Sequence, residues 1–197
     1  MVFEDSSRID HGSRRRIAGA LPFLVGVLAL AAGPAAAQGT YMEPDAFLDQ
    51  AFSGDVPDAE AIWMSGPAAE RVEEILGHPY PSLRIRYWAR GGRSAWILDE
   101  IGKERPITTG ITIDDGRIVG LKVLIFRETR GWEVRYPFFT EQFEGAALGD
   151  SGLLDRDIDN ITGATLSVNA IRKLARLALY LDQHRLQQAR SDDGASP

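Results

Sequence analysis

The chain reads as an α+β domain: an antiparallel sheet of two hairpins flanked by helices, closed by a long C-terminal helix. Three observations predict it. Residues 83–126 alternate or run apolar at strand lengths, and Gly91-Gly92 and Asp114-Asp115-Gly116 interrupt them as turn signals. The segments on either side carry apolar residues at helical spacing. The order is helices, hairpins, helices, which differs from the strand–helix alternation of a parallel sheet.

Each element has its own reason. Pro44 to Phe52 puts Phe47, Leu48 and Ala51 on one helical face. Pro67 suits a first helical turn, Val72, Ile75 and Leu76 are apolar, and Gly77 ends that helix. Leu83 to Trp88 alternates apolar with basic residues, and Ser94 to Ile101 is the return strand. Ile107 to Ile113 is rich in β-branched residues, and Arg117 to Phe126 completes the second hairpin. A helix beyond Pro137 ends near Phe143 and Gly145. The last helix runs from Leu166 to about Gln188, with Ile171, Leu174, Ala175, Ala178 and Leu181 on its apolar stripe. Residues 191–197 are small and polar and read as a disordered tail. Trp63, Trp88 and Trp96 are expected in or near the core. Tyr136, Phe138 and Phe139 are expected to pack their helix, and Arg172, Lys173 and Arg176 to form a basic patch on the last helix, either a solvated face or a surface that attracts an anionic partner.

The N-terminus reads as a targeting segment. Arg14-Arg15-Arg16 precedes an uncharged run from Ile17 to Leu30, and Ala35-Ala36-Ala37 follows. A positive start, an apolar middle and an A-x-A end describe a signal peptide over residues 1–37. The apolar run is shorter than the ~20 residues of a membrane span. Cleavage after Ala37 and retention as an N-terminal membrane anchor both place the domain, residues 41–188, outside the cytoplasmic membrane: periplasmic or extracytoplasmic.

Composition removes several chemistries. The 197 residues carry a formal net charge of −6 with no basic stripe, so nucleic acid is not an expected partner. There is no cysteine, which excludes disulfides, thiolate metal sites, iron–sulfur clusters and a Cys nucleophile. His11, His78 and His184 make no metal-ligand pairing. No hydrolase elbow and no phosphate-cradling glycine loop is present, and no catalytic residue is assigned.

The informative stretch is Asp159-Asn160-Ile161-Thr162-Gly163-Ala164-Thr165-Leu166-Ser167. It reads as a loop entering a long helix, with Thr162 or Thr165 as N-cap and Gly163 allowing a turn. The first N–H groups of a helix lack partners and the macrodipole favours negative charge there, so the same geometry holds a phosphate.

Asp159-x-x-Thr162-Gly163-Ala164-Thr165 resembles the flavinylation motif D-x-x-[ST]-G-A-[ST] of FMN-binding domains. Such domains occur in flavin-carrying components of the Na⁺-translocating NADH–quinone reductase and of the Rnf electron-transport complex. Val123 to Trp132 is similar to the family strand leading into E-T-P-G-L-G. Glu141-Gln142-Phe143-x-Gly145 is similar to its W-x-x-Q-F-x-G region, and Ile107 to Val119 to the hairpin before it. The resemblance covers roughly Thr108 to Leu181. It departs where Arg130 replaces Pro and Trp132-Glu133 replaces Leu-Gly. Residues 41–106 carry no such resemblance.

The resemblance implies a single FMN-binding domain with FMN joined to Thr165 as a phosphoester. Asp159, Thr162, Gly163, Ala164 and Leu166 surround the attachment. Asp159 either assists the transferase through its Mg²⁺ or serves as a turn residue. Glu128 and Thr129 bond the flavin, or Glu128 ends an edge strand in solvent. Gly131 and Trp132 offer a flat stacking surface, or Trp132 fills core. The implied partners are a flavin transferase, which uses Mg²⁺, and membrane or soluble redox proteins. The implied role is an electron-transfer flavoprotein rather than a stand-alone enzyme. The alternative is a non-redox ligand-binding or interaction domain that has lost the flavin.

Overall fold

The computed structural model describes residues 39–194. The leader expected at residues 1–37 lies outside them. The elements are β1 (Gly39–Thr40), α1 (Pro44–Phe52), β2 (Ala59–Trp63), α2 (Gly66–Leu76), β3 (Arg84–Arg90), β4 (Arg93–Ile101), β5 (Pro106–Asp114), β6 (Arg117–Phe126), α3 (Pro137–Thr140) and α4 (Thr165–Gly194). Short 3₁₀ turns at Trp132–Arg135 and Glu141–Phe143 flank α3. The fold is α+β, as expected.

The sheet is larger than two hairpins. Its order is β1-β6-β5-β4-β3-β2, every pairing antiparallel. β4 and β5 pair along their whole length, so the two hairpins fuse into a meander. β1 and β2 then extend the two edges. Only Ile62 of β2 is buried, so its sequence carries no alternation to read. β1 spans two residues, too few for a period.

Helices cover both faces. On one, α4 lies across β4 and β5, and its buried Val168, Ile171, Leu174, Ala175 and Ala178 meet Trp96, Leu98, Ile107 and Ile111. On the other, Phe47, Leu48, Ala51 and Phe52 of α1 pack on Ala95 and Leu124. This double cover explains the nearly unbroken burial of β5, which alternation alone would not give. Gly110 in mid-strand makes room for α1: a Cβ there would stand 2.8 Å from the Phe47 ring.

Several expectations are corrected. α4 continues to Gly194, past Gln188, so Ser191–Gly194 are helical and not part of a disordered tail; residues 195–197 lie outside the described residues. The helix after Pro137 is one short α turn followed by a 3₁₀ turn. Trp96 is fully buried and Trp88 half-buried, but Trp63 is 64% exposed because β2 is an edge strand. Phe139 is core, whereas Phe138 points to solvent. Arg172, Lys173 and Arg176 are half-buried, their side chains bonded to the carbonyls of Ile158, Leu76 and Gly152, so they are not a solvated face.

Candidate functional site

The start of α4 meets the loop after β6 at a cleft of about 610 Å³. Its lining includes Glu128, Thr129, Gly163, Ala164, Thr165 and Leu166, all expected from the sequence, joined by Lys103, Arg130 and Ser167. A volume of this order suits a cofactor-sized ligand. Asp159, Thr162, Gly131 and Trp132 do not line it.

The N-cap of α4 is neither Thr162 nor Thr165. The N–H of Val168 donates to the carbonyl of Ala164 at 2.9 Å, which makes Ala164 the N-cap and Thr165 the first helical residue. An alanine N-cap brings only a methyl group. The N–H groups of Thr165, Leu166 and Ser167 therefore receive no acceptor from it, and the end keeps its attraction for an anion. The Ala164 methyl is buried, while Thr165 is exposed and Leu166 is 51% exposed. Gly163 has φ +85°, and nothing stands within 4 Å of where its Cβ would be.

Two residues that sequence reasoning missed hold this loop. Asn160 donates its side-chain amide to the Thr165 hydroxyl oxygen at 3.0 Å, which orients the hydroxyl. Gln142 accepts from the Asp159 N–H at 2.7 Å, fastening the loop to the turn after α3. The Asp159 side chain is exposed. Asn160 sits at an unspecified position of the motif, so no signal marks it. Gln142 lies inside a motif stretch, but nothing local to it points to a partner 17 residues away.

Glu128 does not end an edge strand in solvent: it lines the cleft and is buried. It is 4% exposed, and its Oε1 accepts from the N–H groups of Lys103, Glu104 and Arg105 at 2.5, 2.7 and 2.9 Å. The β4–β5 loop thus wraps the carboxylate and carries Lys103 to the cleft. Burial opposes the charged form, but the three N–H groups and the Lys103 charge outweigh it and hold the carboxyl below its usual 4.5. A depressed folded-state pKa contributes stability above the unfolded value, lost as pH falls through the folded one. Glu128→Gln is expected to cost about 2 kcal/mol at neutral pH. In denaturant melts the gap from wild type should close as pH drops below about 4. An equal gap at both pH values would show that the charge is not responsible.

Gly131 brings the β6 loop onto the helix. Its φ is +84°, and a Cβ would stand 2.5 Å from Ser167 Oγ and 3.4 Å from the Ala164 methyl. Both the backbone conformation and the close approach exclude a side chain. Gly131→Ala is expected to lower stability by about 1–3 kcal/mol and to widen the cleft. Unchanged thermal unfolding would refute that packing.

Trp132 is half-buried against the core, edge-on to Tyr136 at 5.5 Å. The Arg135 guanidinium lies over the rings of Tyr41, Tyr136 and Trp132 at 4.2, 5.0 and 5.1 Å. The indole is thus engaged in a cation–π cluster beside the cleft.

The arrangement offers a hydroxyl at a helix start, an uncapped first turn, two cations (Lys103 and Arg130) and an exposed leucine. That combination suits a ligand with a phosphate at one end and an apolar plane at the other. Among known protein families, residues 102–180 match the model described as the FMN-binding domain. No curated protein and no solved structure matches the chain.

Proposed function

We propose, from the match of residues 102–180 to the FMN-binding domain model, that this chain carries FMN covalently on Thr165 and relays electrons outside the cytoplasm. The observation that carries the reading is the position of Thr165. Its exposed hydroxyl stands on the first residue of α4, in a cleft lined by Lys103 and Arg130.

The residues present fit the group. The uncapped N–H groups of the first turn favour the phosphate charge, and Lys103 and Arg130 neutralise it further. Arg130, the departure from the family's proline, therefore adds attraction for the phosphate. Leu166 offers apolar surface to the ring, and Asn160 holds the hydroxyl for modification. When bound, the isoalloxazine ring supplies the redox chemistry; the protein supplies position and electrostatics. Attachment is the work of a flavin transferase using Mg²⁺, and the partners are membrane or soluble redox proteins. The leader-like residues 1–37 support a periplasmic or extracytoplasmic location.

A second reading, a domain that binds no flavin, draws on the altered loop and on Glu128, whose Oε1 is occupied by the β4–β5 loop. Co-expression with a flavin transferase separates the two. The denatured protein band should fluoresce as a flavin. A dark band alongside a labelled control substrate would overturn the proposal and leave the second reading.

A further inference from the structure

A second cleft, of about 410 Å³, opens further along α4. Thr165, Asn169, Arg172 and Arg176 follow one another at helical spacing, so one stripe runs from the first cleft into the second. The cationic lining is Arg156, Arg172, Lys173 and Arg176. Leu153 and Ile158 supply apolar wall, and Asp157 is the carboxylate in the lining.

The charges are unevenly balanced. Lys173 lies 3.5 Å from Glu100, and Arg156 lies 3.8 Å from Asp155. Among the described residues no carboxylate stands within 4.0 Å of Arg172 or Arg176. Both are instead fixed by backbone: Arg172 donates to the Ile158 carbonyl, and Arg176 Nε donates to that of Gly152 at 3.0 Å. Each guanidinium has five N–H donors, so most remain for a ligand. Burial, and then the like charge of Arg71, disfavour the charged form of Arg176. Arg71 itself is paired with Glu74 at 2.6 Å. Two anchored, half-buried guanidinium groups in a concave site form a socket for negative charge, and the leucine and isoleucine wall favours an organic anion over a bare ion.

We propose that this cleft binds a small organic dianion, a dicarboxylate or a phosphate monoester, through Arg172 and Arg176. The site is separate from Thr165 and does not depend on flavin.

Calorimetric titration of the purified protein with succinate and with glycerol 3-phosphate, at low ionic strength, tests it. Saturable binding of either supports the site, and comparing the two identifies the anionic group. Arg172→Gln and Arg176→Gln are each expected to weaken binding at least tenfold, the scale of one charge-assisted hydrogen bond. Because these arginines also tie down loops, Leu153→Glu is the second variant. It adds a negative charge at an exposed position of the wall without touching either carbonyl bond, and should weaken binding similarly. No saturable binding of either anion at millimolar concentration, or undiminished affinity in all folded variants, would overturn the proposal.

Discussion

Thr165→Val, co-expressed with a flavin transferase, is expected to give a denatured band with no flavin fluorescence. Valine keeps the shape of threonine and removes only the oxygen that would join the phosphate. Thr165 is exposed at a helix start, so stability should move by no more than about 0.5 kcal/mol. A lost signal in a normally folded protein therefore reports chemistry and not folding. Thr162→Val is the matched control: Thr162 lies in the turn before Gly163 and does not line the cleft. It should retain the label. Asn160→Ala removes the amide that orients the hydroxyl and should slow labelling by roughly tenfold. Fluorescence retained in Thr165→Val would move the attachment elsewhere, with Thr162 the first residue to test.

The second large effect lies far from that cleft. Asp182 of α4 is fully buried and accepts at Oδ1 from Ser94 Oγ at 2.6 Å and from Arg185 Nε at 2.8 Å. Ser94 in turn accepts from Trp96 Nε1 at 2.8 Å. The Arg185 side chain is 9% exposed. Asp182→Ala leaves that guanidinium buried without its counter-charge and leaves the buried Ser94 O–H without its acceptor. A loss of about 3–5 kcal/mol is expected, a large share of the ~5–15 kcal/mol of a typical domain. Urea unfolding would measure it. Replacing both members, Asp182→Leu with Arg185→Met, should recover much of the loss, because the penalty comes from the orphaned charge. A single variant within about 1 kcal/mol of wild type would refute this account.

The elements legible in the sequence are those whose signals are local. β3 to β6 carry alternation or β-branched runs bounded by turn residues, and α4 carries a long apolar stripe. β2 is not legible because Ala59-Glu60-Ala61 has weak strand preference and the strand is held by pairing with β3. The site divides in the same way. The stretch from Asp159 to Thr165 that enters α4 is contiguous and carries its own signal. Lys103 enters the cleft only because Glu128 gathers a loop 23–25 residues earlier in the chain. The basic residues of α4 cannot be told from a solvated face by sequence, since the carbonyls that hold them come from three separate segments. Asp182 gives no sign of burial, because Ser94 lies 88 residues away.

The fused meander bears on where this protein can be cut. The family match begins at residue 102, after β4, and ends at residue 180, before Asp182. An excised fragment with those boundaries would contain β5 and β6 but neither β4 nor β1, leaving both strands of the hairpin with an unsatisfied edge. It would also lack α1, exposing the sheet surface around Leu124. The stretch that matches the family model is thus shorter than the sheet it belongs to, and the residues before it complete that sheet.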